Sequence, residues 1–132
     1  MASDSLHLAT PIDRPADEVY RFASDPVNLP QWAAGLSSSI RRVADRWVAD
    51  SPMGTVTVAL AEPSDYGVLD HYVTLPTGET FYNPVRVIAA GAGCEVVFTL
   101  RRAAGTSDQD FARDADAVRA DLATLKRILE AS

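Results

Sequence analysis

The chain is poor in the residues that most often carry out chemistry in proteins. Of its 132 residues, one is a cysteine, one is a lysine and two are histidines. The single Cys94 excludes an internal disulfide, so a reducing cytoplasm is the expected setting. His7, His71 and Cys94 lack the spacing of zinc ligands, and we expect no metal. Lys126 falls near the polar side of a predicted helix, which leaves no desolvated lysine for a Schiff base.

Other common signals are missing as well. There is no glycine-rich phosphate loop, and we expect no cofactor. No apolar run is long enough to cross a bilayer, and residues 1–10 lack the pattern of a secretory signal. The net charge of −6 and the isoelectric point of about 4.7 disfavour nucleic acid as a partner. The chain as a whole is 47% hydrophobic and has the length of one domain, residues 1–132. We expect this domain to be a monomer or a homodimer.

The last quarter of the chain, residues 107–129, predicts a long amphipathic helix. Six apolar residues recur at alternating steps of four and three, which places them on one helical stripe. They are Phe111, Ala115, Val118, Leu122, Leu125 and Leu129. Ser107 and Asp110 approximate a capping box at the start. Because such a helix cannot bury its stripe on itself, the preceding residues must provide the surface against which it packs.

The preceding residues predict a strand, two short helices and a series of antiparallel strands. Residues 5–12 alternate loosely, as in a strand. Pro15 opens a helix that Asp25-Pro26 ends, and a second, shorter helix runs from Asn28 to Gly35. A period of two then predicts strands joined by turns over residues 39–43, 46–49, 54–61, 66–75, 80–90 and 94–101. Asn83-Pro84 interrupts one of them, which indicates a bulge or an edge position.

This order of elements predicts an α+β fold, with a curved antiparallel sheet of about seven strands wrapped around the C-terminal helix. The chain resembles a known family in the order of its elements and in several stretches of sequence. The stretches are residues 11–20 (PIDRPADEVY), residues 25–32, Leu69-Asp70-His71, Pro84-Val85-Arg86-Val87, Phe98-Thr99-Leu100 and the helix itself. The family is the START/Bet v 1-like (SRPBCC) superfamily, and the stretches resemble its bacterial polyketide cyclase/dehydrase-like branch. The resemblance implies the helix-grip fold.

The resemblance also implies a cavity between sheet and helix. Members of the superfamily bind lipids, hormones or polyketides, cyclise or dehydrate polyketides, or act as co-chaperones. We therefore expect a small hydrophobic ligand that is polyketide-, lipid- or aromatic-like. Two alternatives stay open: a cyclase/dehydratase-type enzyme whose cavity residues transfer protons, and a co-chaperone-like interaction module. The presumed inner face has few polar residues, which favours binding over chemistry.

His71 is the candidate catalytic residue and also a candidate ligand contact. It shares a strand face with Leu69 and Val73, which should pack against the helix. An imidazole with an ordinary pKa of about 6.5 suits proton transfer, and a satisfied core histidine is the alternative. If the faces of this strand are reversed, Asp70 and Tyr72 line the cavity instead.

The other candidate ligand contacts are large apolar side chains, which contribute much of a typical pocket wall. They are Trp32, Trp47, Phe81, Phe98, Val118 and Leu122. Trp32 is expected at the mouth of the cavity. Core packing is an equal alternative for both tryptophans and the favoured one for Phe81 and Phe98. Arg86 either anchors an acidic ligand group or lies exposed on the outer face of the sheet, and the second is favoured.

Overall fold

The computed structural model describes residues 5–34 and 37–131. In order along the chain, the elements are β1 (Ser5–Ile12), α1 (Ala16–Ala23), a 3-10 turn (Pro26–Asn28), α2 (Leu29–Trp32), β2 (Ser39–Val43), β3 (Arg46–Ser51), β4 (Gly54–Leu60), β5 (His71–Thr74), β6 (Thr80–Asn83), β7 (Val85–Ala90), β8 (Gly93–Arg101) and α3 (Asp108–Glu130). The predicted α+β helix-grip order is confirmed, with eight strands among the described residues in place of about seven.

The strands pair as two antiparallel sheets, of which the first has the order β1-β8-β7 and the second β2-β3-β4-β5-β6. The boundary between them falls at Pro84, because β6 ends at Asn83 and β7 begins at Val85. Proline has no N–H to donate to a ladder, so it is restricted to edges and breaks. The predicted strand over residues 80–90 is therefore two edge strands, one in each sheet, which confirms the edge position.

The predicted strand over residues 66–75 is wrong in its first half, since β5 begins only at His71. Gly67 has a φ of +70°, and a Cβ at this position would clash with the carbonyl of Val87. The N–H of Val87 donates to Gly67 O at 2.9 Å, and the N–H of Leu69 donates to Val85 O at 2.8 Å. Residues 67–69 are therefore hydrogen-bonded alongside β7 of the first sheet, and the chain enters the second sheet only at β5.

Two short helices, α1 and α2, lie between β1 and β2. α1 begins after Pro15, as predicted, and buries Val19 and Ala23. The second predicted helix is split into the 3-10 turn and α2, which ends at Trp32. Its predicted end at Gly35 lies outside the described residues.

The long helix α3 is confirmed within one residue at each end. The Ser107 hydroxyl accepts a hydrogen bond from the N–H of Asp110 at 3.1 Å, as a capping residue should. Four residues of the predicted stripe are buried, namely Ala115, Leu122, Leu125 and Leu129, whereas Phe111 and Val118 are half-buried. No helix in the described part of the chain is long and apolar enough to cross a membrane.

The C-terminal end of α3 is bound to the junction between β1 and α1. Lys126 Nζ donates to Pro11 O at 2.7 Å, and Glu130 Oε2 accepts from the N–H of Asp13 at 2.8 Å. Lys126 and Glu130 are themselves paired at 2.7 Å. These contacts hold the last turn of the helix against the first strand, while its N-terminal half runs past β8 and α2.

Candidate functional site

A cleft of about 480 Å³ lies between α3, α2 and the strands β5, β6 and β8. The loop from β8 to α3 closes one end of it. Its walls are mainly apolar, formed by Leu29, Trp32, Ala33, Met53, Val73, Phe81, Phe98, Leu100, Val118 and Leu122. A mostly apolar concavity of a few hundred Å³ is typical of a small-molecule site.

Six of the seven residues expected to contact a ligand lie on the walls of this cleft, namely Trp32, His71, Phe81, Phe98, Val118 and Leu122. Trp32 is only 8% exposed, and its indole N–H has no acceptor among the described residues. The walls thus combine residues from α2, from both sheets and from α3, which the fold brings together from distant parts of the sequence.

Trp47 is the exception, because it does not line the cleft. It lies on β3, where it is half-buried against the core. Its neighbour in register on β2 is Arg42, whose guanidinium carbon lies 5.8 Å from the centroid of the indole. β4 separates β3 from the cleft strand β5, so Trp47 packs in the second sheet away from the cleft.

His71 lies on the cleft side of β5, as the alternation of this strand predicts. Val73 is buried on the same side, while Tyr72 points outward and is 49% exposed. The His71 Nδ1 atom lies 3.2 Å from Leu69 O, and Nε2 lies 3.3 Å from the side-chain nitrogen of Asn83. A carbonyl only accepts, so Nδ1 carries the proton and Nε2 accepts from the Asn83 amide. This arrangement fits a neutral imidazole.

Burial lowers the pKa of His71 below its ordinary value of 6.5, because the charged ring would lose its water. We expect an NMR titration of the His71 ring signals to give a midpoint below 6.5 in the folded protein. Since the unfolded chain then binds the proton first, the stability that His71 contributes is lost as the pH falls below 6.5. A midpoint at or above 6.5 would contradict the buried position.

The Asp70 carboxylate is buried on the opposite side of the strand from His71. It accepts four hydrogen bonds: from the N–H of Val85 at 2.9 Å, from Arg86 Nε and Nη2 at 3.0 and 2.8 Å, and from the Tyr82 hydroxyl at 2.6 Å. The bonds from Arg86 are the main reason that the pKa of Asp70 falls from 3.8 to about 2. Because Tyr82 belongs to β6 and Val85 and Arg86 to β7, this carboxylate connects the two sheets.

Arg86 therefore has a partner within the protein. Its side chain is 48% exposed and lies outside the cleft lining, as expected for the outer face of the sheet. Tyr72 stacks on Tyr82 with ring centroids 4.9 Å apart. This outer cluster of Asp70, Arg86, Tyr72 and Tyr82 stabilises the sheet junction and does not face the cleft.

Asn83 is one of the cleft residues that the sequence does not single out. The sequence indicates only an interruption of the strand at Asn83-Pro84, yet the Asn83 side chain lines the cleft and forms a hydrogen bond with His71. The predicted turn over residues 76–78 indicates which residue of the next strand lies opposite His71. A hairpin that is symmetric about Thr77 pairs His71 with Asn83, which is the observed register.

A family model described as polyketide cyclase / dehydrase and lipid transport matches residues 5–130. The chain belongs to this family. Among solved structures with the family fold, an uncharacterised protein from Bacillus thuringiensis is 14% identical, with a TM-score of 0.74 over 95% of this chain and 98% of that one. Ara h 8.0201 is 12% identical, with a TM-score of 0.72 over 99% and 100%.

This chain is also similar to the di-domain ARO/CYC protein BexL from the BE-7585A biosynthetic pathway. It is 21% identical, with a TM-score of 0.68 over 96% of this chain and 46% of BexL, so the chain spans about half of that protein. No curated protein matches the sequence. In the described residues, no group of three His, Cys, Asp or Glu side chains is placed to hold a metal ion.

Proposed function

We propose that the protein binds a small hydrophobic molecule, polyketide-, lipid- or aromatic-like, in the cleft between α3 and the strands. The observation that carries the proposal is the cleft itself, about 480 Å³ walled mainly by apolar side chains. Trp32, Phe81 and Phe98 offer flat surfaces on which a ring or an alkyl chain can pack. Burial of apolar ligand surface contributes about 25 cal/mol per Å² before the costs of association.

The family description agrees with this proposal, since it names lipid transport beside cyclase and dehydrase activities. A cyclase/dehydratase-type reaction is the second candidate, and it rests on His71 at the wall of the cleft. Both ring nitrogens of His71 already have partners, Leu69 O and the Asn83 side chain. Proton transfer to a substrate would require one of these bonds to break, which favours binding over catalysis.

A matched pair of substitutions on α3 tests the binding site. Ala117 and Ala123 are both exposed on this helix, but only Ala117 lines the cleft. We expect the wild type to bind the apolar dye Nile red in a saturable, one-to-one manner. Ala117→Trp places an indole at the mouth of the cleft and should weaken binding at least about tenfold, or about 1.4 kcal/mol.

Ala123→Trp is the control, and it should bind Nile red as the wild type does. Equal affinities in all three proteins, or dye binding that does not saturate, would contradict a site in the cleft. Native mass spectrometry of the freshly purified wild type then identifies any molecule that co-purifies, and the same molecule should be missing from Ala117→Trp.

A further inference from the structure

The mouth of the cleft is lined by four carboxylates. Glu79 precedes β6, while Asp110, Asp114 and Asp121 lie on α3. Spacings of four and seven residues place the three aspartates along one side of the helix, next to the apolar stripe. A ligand that enters the cleft from solvent therefore passes between carboxylates on the helix and one at the end of the sheet.

Positive charge is scarce at the same site. Arg101 is the one Lys or Arg among the lining residues that the structure describes, and its guanidinium carbon lies 5.9 Å from the centroid of the Tyr82 ring. Further in, His71 is the group that could carry a positive charge, but its hydrogen bonds fit the neutral ring. An anionic ligand group would meet these carboxylates, and Arg101 is the single cationic side chain among the described lining residues that could attract it, which disfavours its binding.

Asp114 is less compensated than Asp110, which lies one turn earlier on α3. Asp110 is paired with Arg113 at 3.1 Å, whereas Asp114 has no ion pair with any residue that the structure describes. Partial burial, and then the charge of Asp110 one turn away, raise the pKa of Asp114 above its ordinary value. A cation bound near Asp114 would relieve this repulsion.

The aromatic walls of the cleft agree independently with a cationic ligand group. The faces of Trp32, Phe81 and Phe98 carry partial negative charge and attract ammonium groups, and Trp is the most effective of the three. We propose that the cleft prefers an apolar molecule that carries a protonated amine over the same molecule with a hydroxyl, and prefers the hydroxyl over a carboxylate. This inference rests on the proposed function, since it concerns the ligand of the same cleft.

The test uses dodecylamine, dodecan-1-ol and dodecanoate, which share one alkyl chain, as competitors of Nile red at neutral pH. Each competitor is kept below the concentration at which it forms micelles or separates from solution. For the wild type, the affinity for the amine should exceed that for the alcohol about fivefold or more, and the carboxylate should bind least. Asp114→Asn and Glu79→Gln should each lower the amine-to-alcohol ratio of affinities about two- to fivefold.

The control for net charge is Asp116→Asn on the same helix. Asp116 is exposed, pairs with Arg119 at 3.1 Å and does not line the cleft, so its loss changes the total charge equally. This variant should keep the wild-type ratio. Equal ratios in all four proteins, or a carboxylate that binds more tightly than the amine, would overturn the inference but leave the proposed function in place. A wild type that does not bind Nile red would overturn both.

Discussion

Leu125→Ala should lower the free energy of unfolding by about 2–5 kcal/mol, the range for truncating a buried leucine. Leu125 is 0% exposed and lies in the middle of the buried stripe of α3. It is part of the hydrophobic core and does not line the cleft, so the space that it leaves is enclosed by well-packed side chains. Chemical denaturation at neutral pH measures the change.

Arg119→Ala is the matched control on the same helix. The Arg119 side chain is exposed and pairs with the exposed Asp116, so its removal should lower the free energy of unfolding by about 0.5 kcal/mol or less. Leu122→Ala should lower the free energy of unfolding by a similar amount to Leu125→Ala. It should also enlarge the cleft, because Leu122 lines the cleft. Small, equal effects for Leu125 and Arg119 would mean that the stripe is not packed against the sheets.

Asp70→Ala should lower the free energy of unfolding by about 2–4 kcal/mol. The substitution leaves the N–H of Val85 without its acceptor and removes the carboxylate that Arg86 and Tyr82 share across the sheet boundary. The expected loss is smaller than for a fully buried pair, because Arg86 is half exposed and can be hydrated.

Asp50→Ala is the control for this substitution. The Asp50 carboxylate also pairs with an arginine, Arg41, at 3.4 Å, but both side chains are about half exposed. Removing Asp50 should lower the free energy of unfolding far less than removing Asp70, as expected for an exposed ion pair. If the two variants lose equal stability, the Asp70 cluster does not connect the sheets as described.

The same carboxylate makes stability depend on pH. The pKa of Asp70 is about 2 in the folded protein and 3.8 as its ordinary value, so the unfolded chain binds the proton first as the pH falls. The contribution of Asp70 is therefore complete above 3.8 and is lost as the pH falls through about 2. Urea denaturation between about pH 4 and about pH 2 should show a smaller loss for Asp70→Asn than for the wild type.

The elements that the sequence predicts well are those whose pattern is local. The stripe of α3 and its Ser107 cap depend on residues three and four apart, and both appear as predicted. The cleft-facing side of His71 follows in the same way from alternation along one strand. Such patterns are visible without knowing which parts of the chain meet.

The features that the sequence could not give depend on distant partners. Alternation continues through residues 66–70, but the conformation of Gly67 and its contact with Val87 direct this segment to β7. Alternation places Asp70 on the outer side of its strand, and the position of β7 explains why it is buried there. Residue type groups Trp47 with Trp32, yet the order of the strands keeps Trp47 away from the cleft.

The pairing of β1 with β8 has a consequence for synthesis on the ribosome. His7 lies opposite Thr99, 92 residues further along the chain, whereas β2 to β6 pair only with their neighbours in sequence. The second sheet can form while the C-terminal third is still being made, but β1 has no partner until β8 has emerged. Non-local pairing is slow, so we expect β1 to stay unpaired during this time, with its apolar side chains exposed to solvent. Because β8 and α3 form walls of the cleft, we expect the cleft to form last.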